Sequence, residues 1–238
     1  MSTDLVAGDL RRRMVLALDV DDLVVAERLA KALAPWFATV KVGLELWAAA
    51  GPDAVAALRA RGFEVMADLK LHDIPTTVGR TARVVGALGV RYLTLHAFGG
   101  AVMLQEGTRG LAHGAEEAGL PPPTALAVTV LTSDADAPAH VLPRRVETAM
   151  EAGCGGVVCA AADVASVKRL APRFVAVVPG IRAPRGERHD QARAATPAAA
   201  LAAGADLLVV GRAVTAHPDP PAAARALVAG LEPVAGGG

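Results

Sequence analysis

Short apolar runs recur along the chain, and each is followed by a segment whose apolar positions have helical spacing. The runs are rich in Val, Leu and Ala, which is typical of strands buried on both faces. They predict eight strands, over 14–20, 39–42, 63–70, 92–96, 125–129, 156–159, 174–178 and 207–210. The other segments predict helices over 23–33, 51–61, 76–88, 103–118, 144–152, 163–170, 197–203 and 220–231. This alternation favours an α/β fold, a (β/α)8 TIM barrel, over an open doubly wound sheet.

The repeats continue through the chain with no linker between them, so 1–238 are expected to form one barrel domain. A short lead-in over about 1–12 and a frayed tail over about 232–238 are expected at its ends. Three arginines precede the first apolar run, as in a secretory signal, but Asp19 interrupts that run too early. No apolar run reaches the roughly 18 residues of a membrane span, and a cytoplasmic location is therefore predicted.

The charges of the chain balance, with 24 Lys and Arg against 24 Asp and Glu, and only 3% of the residues are aromatic. Without an excess of basic residues or stacking aromatics, neither a nucleic acid nor a membrane surface is expected as a partner. Cys154 and Cys159 fit neither a redox motif nor a zinc framework, so both are predicted to be buried thiols in a reducing compartment.

Charged residues collect where the predicted strands end, which is the active-site end of such a barrel. In strand order they are Asp19, Lys41, Asp68 with Lys70, and His96. Alone, each has an ordinary explanation as a helix cap, a surface ion pair or a buried histidine. Two acids and two amines at the same end of three consecutive strands instead indicate one network, in which opposite charges hold each other ionised.

The segments after strands seven and eight indicate an anion site. Gly211-Arg212 follows strand eight, where a glycine allows close approach of a ligand and an arginine donates to it. The connection 179–196 after strand seven exceeds the usual length of about 2–6 residues and contains several arginines. It predicts a basic lid that closes over a phosphorylated substrate, with a solvated variable loop as the alternative.

The stretch after strand three combines these features most densely, as Asp68-x-Lys70-x-x-Asp73-Ile74-Pro75-x-Thr77. Further motifs are Leu18-Asp19, Val40-Lys41-Val42-Gly43, His96-Ala97-x-Gly99-Gly100, the segment 127–133, Pro179-Gly180-Ile181-Arg182, Asp190-Gln191 and Val210-Gly211-Arg212. In their order and spacing these motifs resemble the orotidine 5'-phosphate decarboxylase family over nearly the whole chain. The resemblance implies loss of CO2 from C6 of orotidine 5'-phosphate to give uridine 5'-phosphate, the last step of pyrimidine nucleotide synthesis, with no metal and no organic cofactor.

The resemblance also implies a role for each matching residue. Lys41, Asp68, Lys70 and Asp73 would form an alternating charged tetrad, in which Lys70 protonates the C6 carbanion. The protein would be a homodimer, with Asp73 and Thr77 reaching into the neighbouring subunit's site. The implied substrate contacts are Asp19 and Lys41 for the ribose, Thr132 for the pyrimidine edge, Gln191 for base and phosphate, Arg182, Gly211 and Arg212 for the phosphate, and also Asp68 and Ile74.

Three alternatives remain open. The nearest is a magnesium-dependent sugar-phosphate decarboxylase or synthase on a related barrel, with Glu45 as a possible metal ligand; the Ile74-Pro75 pair and the lid favour the pyrimidine enzyme. A Schiff-base aldolase using Lys41 or Lys70 would need a neutral amine, which adjacent acids disfavour. A barrel that only binds nucleotides would have no reason to bury two lysines and two acids beside its ligand.

Overall fold

The computed structural model describes residues 3–131, 137–182, 195–229 and 231, without the side chains of 3–7. Eight parallel strands close into one barrel in chain order, so the predicted fold is confirmed. The strands are β1 (Met14–Ala17), β2 (Thr39–Val42), β3 (Glu64–Leu71), β4 (Tyr92–His96), β5 (Thr124–Val128), β6 (Gly156–Val158), β7 (Val175–Val178) and β8 (Leu207–Val210). Parallel order brings every carboxyl end to the same rim, where the site lies.

Helices cover the outside of the barrel. In the described residues they are α1 (Thr3–Arg13), α2 (Leu23–Leu33), α3 (Leu44–Ala50), α4 (Pro52–Ala60), α5 (Pro75–Ala87), α6 (Gly100–Glu117), α7 (Val141–Glu151), α8 (Val164–Leu170), α9 (Pro197–Ala202), α10 (Arg212–Thr215) and α11 (Pro220–Ala229). Asp22 caps α2, because its carboxylate accepts the Val25 N–H at 2.9 Å. In the described residues no helix is both long enough and apolar enough to cross a membrane.

The core has two layers, because strand side chains alternate between the barrel interior and the helices. Val40 and Val42 belong to the outer layer and are fully buried against the helices. Val15 and Ala17 belong to the smaller inner layer, and Asp19 follows them at the same two-residue spacing. Lys41 lies between the outward-facing Val40 and Val42, so Asp19 and Lys41 are both on the interior side. Both cysteines are buried thiols, as predicted.

Strand β3 is irregular at its carboxyl end. Ala67 pairs with Leu93 but Leu71 pairs with Leu95, so β3 carries two residues more than β4 across this interval. Within it Lys70 has φ 47°, a left-handed conformation that costs a side-chain-bearing residue about 1 kcal/mol. The predicted strand 63–70 lies within one residue of β3 at each end, and the pattern of apolar residues does not reveal the bulge.

Helices α5 and α6 touch through their backbones. A Cβ at Gly110 would overlap the carbonyl oxygen of Gly79, and a Cβ at Gly114 would overlap that of Arg83. These glycines let the two helices approach more closely than any side chain would allow. Because α5 follows β3 and α6 follows β4, the contact fixes the relative position of the two strands that end at the most charged part of the rim.

Candidate active site

A cavity at the carboxyl ends of the strands brings together seven of the residues that the sequence analysis selected. They are Asp19, Lys41, Asp68, Lys70, Arg182, Gly211 and Arg212. They come from β2, β3 and the segments that follow β1, β7 and β8. The barrel closes β8 against β1, so residues far apart in sequence become neighbours.

Ion pairs connect four of these residues along the rim. The Lys41 Nζ lies 3.0 Å from Asp19 Oδ1 and 3.3 Å from Asp68 Oδ2. The Lys70 Nζ lies 2.8 Å from the same Asp68 Oδ2. The side chains of Lys41 and Asp68 are only 12% and 13% exposed, so their attraction is screened less than that of a surface pair.

The pairing decides the charge state of the buried members. Burial opposes ionisation of Asp68, but Lys41 and Lys70, with hydrogen bonds from Lys70 and Thr94, hold the pKa of its carboxyl below the ordinary value. Burial likewise opposes the charge of Lys41, and Asp68 and Asp19 outweigh it and raise the pKa of Lys41. A charged Lys41 disfavours the aldolase alternative at this residue, because a Schiff base forms from a neutral amine.

Gly43 gives the ion pairs their room. A Cβ at this position would lie 2.9 Å from Lys41 Nζ and 3.0 Å from Asp19 Oδ1. Any larger residue would therefore push on the Lys41–Asp19 pair. In the motif Val40-Lys41-Val42-Gly43 the two valines face the helices, Lys41 faces the cavity, and the glycine leaves room for the ion pair.

Thr94 belongs to this site, although the sequence analysis did not select it. It lies on β4, is fully buried and lines the cavity. Its Oγ1 donates to Asp68 Oδ1 at 3.0 Å and accepts the backbone N–H of Lys70 at 2.9 Å. Thr94 lies two residues before His96 on β4, so both side chains leave the strand on the same side. This spacing could have indicated Thr94, but a threonine in a strand is too common to stand out.

The other side of the cavity is apolar. Val128, Val158 and Val177 line it from β5, β6 and β7, and Leu131 and Ile181 extend this surface beyond the strands. The cavity therefore presents charged groups on one side and aliphatic groups on the other. A ligand that fits both sides has polar substituents along one edge and a less polar body.

The long connection after β7 is anchored at its base. The Arg182 N–H donates to the Ala195 carbonyl at 3.0 Å, and the Ala195 N–H donates to the Gly180 carbonyl at 3.3 Å. Arg182 is buried at this base and lines the cavity. The predicted length of the connection is confirmed, because β7 ends at Val178 and α9 begins at Pro197. Gln191 lies outside the described residues, as does Thr132.

Three of the selected residues that follow β3 do not line the cavity. Asp73, Ile74 and Thr77 are exposed at the start of α5, and Asp73 forms no ion pair with any described residue. Its carboxylate accepts the N–H of Ile74 at 2.6 Å instead. Asp73 and Thr77 border a separate shallow depression beside Lys70. Within this one chain, the fourth member of the predicted tetrad is therefore not joined to the other three.

His96 ends β4 but does not line the cavity. Its Nδ1 accepts the N–H of Phe98 at 3.2 Å, and its ring stacks on His72 with 5.5 Å between centroids. Burial, followed by the nearby Arg145, His72 and Lys70, lowers the pKa of His96 below its ordinary value. The neutral ring that results is the form that can accept the Phe98 hydrogen bond.

Known proteins share this sequence and fold. Residues 12–227 match the family model described as "Orotidine 5'-phosphate decarboxylase / HUMPS family". The orotidine 5'-phosphate decarboxylase of Moorella thermoacetica is 45% identical over 93% of this chain and 93% of its own length. That of Anaeromyxobacter sp. strain K is 46% identical over 92% and 98%. The crystal structure of the enzyme named orotidine 5'-phosphate decarboxylase from Lactobacillus acidophilus has a TM-score of 0.76 and 34% identity, and the match covers 93% of this chain and 99% of that chain.

Proposed function

The chain belongs to the orotidine 5'-phosphate decarboxylase / HUMPS family, and we infer from this that it is a carboxy-lyase that converts orotidine 5'-phosphate to uridine 5'-phosphate and CO2. The ammonium group of Lys70 at the cavity, 2.8 Å from Asp68, is the observation that best supports the mechanism. The relatives named orotidine 5'-phosphate decarboxylase match this chain over 93% and 98% of their own lengths, which favours this reaction over other activities of related barrels.

In the proposed reaction the bond between C6 and the carboxylate carbon breaks, and its electron pair stays on C6. CO2 leaves, and the Lys70 ammonium donates a proton to C6. The neutral amine of Lys70 then takes a proton from solvent. Charges already positioned where charge develops are typically the largest catalytic contribution, and the Lys41–Asp68–Lys70 series supplies them without rearrangement.

The rest of the substrate is proposed to bind along the same rim. Asp19 and Lys41, which pair at 3.0 Å, are proposed to hold the ribose hydroxyls, and the aliphatic side of the cavity is proposed to hold the pyrimidine. Arg182, Gly211 and Arg212 are proposed to bind the phosphate. Thr132 and Gln191 complete the proposed contacts to the base and the phosphate. Phosphate binding far from the reacting bond would then drive closure of the lid 179–196.

We propose that the active protein is a homodimer, in which Asp73 and Thr77 complete the partner subunit's site. Two observations support this. The Asp73 carboxylate is exposed beside Lys70 yet forms no ion pair with any residue that the structure describes. Ile74 and Phe98, which follow the neighbouring strands β3 and β4, are 66% and 68% exposed, and large exposed apolar side chains are typical of an interaction surface.

The first test is turnover of orotidine 5'-phosphate by the purified protein in buffer that contains a metal chelator. Loss of substrate absorbance with equimolar uridine 5'-phosphate and CO2 is expected. Lys70→Ala should lower kcat by at least about 10³-fold, since it removes the proton donor. Lys31→Ala, on the exposed face of α2, is the matched control and should retain wild-type kcat.

Two results would contradict this function. A folded protein that does not turn over orotidine 5'-phosphate, either with the chelator or with added magnesium, would contradict the decarboxylase function. Turnover of sugar phosphates that requires magnesium would favour the magnesium-dependent alternative. Glu45, the possible metal ligand in that alternative, is exposed in the first turn of α3 and does not line the cavity.

A further inference from the structure

We infer that Thr94 is a positioning residue, whose hydroxyl holds the Asp68 carboxylate and the Lys70 backbone in the arrangement that the reaction uses. The inference rests on the proposed decarboxylation. Thr94 contacts the two reacting-site residues from a neighbouring strand, and the sequence resemblance assigns it no role. Its side chain is fully buried, so its hydrogen bonds are shielded from bulk solvent.

The bulge in β3 creates the need for this hydroxyl. Because β3 carries two extra residues opposite Leu93–Leu95, the ladder between β3 and β4 is interrupted at Lys70. The Lys70 N–H donates to Thr94 Oγ1 at 2.9 Å instead. Without this acceptor the Lys70 N–H would lose its partner on β4, so the threonine supports the left-handed conformation of Lys70.

The same hydroxyl fixes the orientation of the Asp68 carboxylate. Thr94 donates to Oδ1 at 3.0 Å, while both lysines contact Oδ2, at 2.8 Å for Lys70 and 3.3 Å for Lys41. With one oxygen held from β4 and the other held by the ammonium groups, rotation of the carboxylate would break these contacts. A hydroxyl can accept from one group and donate to another, and no apolar side chain of the same shape can do either.

The hydrogen bonds also have an electrostatic consequence. Against the effect of burial, the two lysines and then the hydrogen bonds from Lys70 and Thr94 lower the pKa of Asp68. Removing the Thr94 donor therefore weakens the preference of Asp68 for its charged form. The rate of a variant without this hydroxyl should fall relative to wild type as the pH is lowered, and the ratio of the two rates cancels ionisation of the substrate itself.

The test compares Thr94→Val with Thr94→Ser. Valine keeps the shape and removes both hydrogen bonds, and kcat should fall by about 10- to 100-fold while KM changes by less than about 3-fold. Serine keeps the hydroxyl and should recover kcat to within about 3-fold of wild type. The Val-to-wild-type ratio of kcat should decrease as the pH is lowered, and the Ser-to-wild-type ratio should not.

Thr39→Val is the matched control for burying a valine in the barrel. Thr39 is equally buried on β2, but it lies at the opposite end of that strand, where its Oγ1 faces Glu64 Oε2 at 3.3 Å. Its loss should leave kcat unchanged. If Thr94→Val does not fold, Thr94→Ser and Thr94→Ala form a second pair that differs by the hydroxyl alone.

Amide hydrogen exchange at Lys70 tests the contact without using activity. Exchange should be faster in Thr94→Val or Thr94→Ala than in wild type, and close to wild type in Thr94→Ser. An inactive wild type would refute the proposed decarboxylase function, but amide exchange at Lys70 would still test its contact with Thr94. Wild-type kcat in Thr94→Val, equal losses in the Val and Ser variants, or unchanged exchange at Lys70 would each overturn the inference.

Discussion

At the scale of single residues, Lys70 has a left-handed backbone and also carries the ammonium group that the proposed mechanism uses. Among the described residues it is the one non-glycine residue with positive φ. Such strain persists at functional sites because surrounding contacts hold it, and here those contacts are Thr94 and Asp68. A glycine would relieve the strain but could not supply the amine.

This strain predicts an unusual order of stability for Lys70→Gly and Lys70→Ala. Both variants lose the amine and should be inactive, and both leave Asp68 paired with Lys41. Glycine tolerates φ 47° and alanine does not, so Lys70→Gly should be the more stable by about 1 kcal/mol. Urea unfolding followed by circular dichroism measures the difference. An alanine variant of equal or greater free energy of unfolding would show that Lys70 is not strained.

Individual site residues could be predicted from sequence when they carry charge at a strand end. Asp19, Lys41, Asp68 and Lys70 were found in this way, because apolar alternation sets the strand and the charge marks its rim. Thr94 was missed, since a neutral β-branched residue inside a strand is equally typical of ordinary packing. Its role depends on the bulge in the neighbouring strand, which no local pattern specifies.

At the scale of elements, the α5–α6 contact helps to hold β3 and β4 together, in addition to their pairing in the barrel. Gly110 and Gly114 of α6 face the backbone of α5 at Gly79 and Arg83, with no space for a Cβ. The two helices follow the strands that supply Lys70 and Thr94, which interact at 2.9 Å. A change in the distance between α5 and α6 should therefore shift β3 and β4 and, with them, the site residues Lys70 and Thr94.

Gly114→Ala should lower the free energy of unfolding by about 1–3 kcal/mol, because the added methyl group overlaps the carbonyl oxygen of Arg83. Thermal unfolding measures the loss. The matched control is Gly8→Ala in α1, where an added Cβ meets no atom within 4 Å and the better helix former should be neutral or stabilising. Equal effects of the two substitutions would mean that α5 and α6 are not in close contact.

Most elements could be predicted from the alternation of apolar runs with helical segments, and β8 has the predicted bounds. Helices α3 and α10 were missed for a physical reason. Each begins within two residues of a strand end and is short, at seven and four residues, so its apolar spacing cannot be separated from that of the strand before it.

At the scale of the whole molecule, one chain contains an incomplete version of the predicted charged tetrad. Lys41, Asp68 and Lys70 are joined, and Asp73 faces outward. No sequence pattern within a single chain could establish whether a second copy supplies this carboxylate. The proposed dimer can be tested by placing two inactivating substitutions on different subunits of one dimer.

Mixed dimers of Lys70→Ala and Asp73→Ala should recover activity that neither variant has alone. If Asp73 acts in the partner's site, one site of each mixed dimer carries both defects and the other carries none. An equimolar random mixture would then have about a quarter of its sites intact. Turnover of orotidine 5'-phosphate after co-refolding of the two variants measures this recovery.

Mixing Lys70→Ala with Asp68→Ala is the matched control. Both residues belong to the same chain's site, so every site in such mixed dimers carries one defect and no activity should return. Failure of the Lys70→Ala and Asp73→Ala mixture to regain turnover, with mixed dimers demonstrated, would place Asp73 outside the partner's site.

The cavity rim also affects how anions reach the protein. Among its described charged residues, four are cationic (Lys41, Lys70, Arg182 and Arg212) and two are anionic (Asp19 and Asp68), an excess of two positive charges in a chain whose net charge is zero. The compensating negative charge is therefore spread over the remaining surface. We expect this local excess to attract a doubly charged phosphate ester toward the entrance before any contact forms. Its association rate, unlike the chemical step, should decline as ionic strength shortens the range of that attraction.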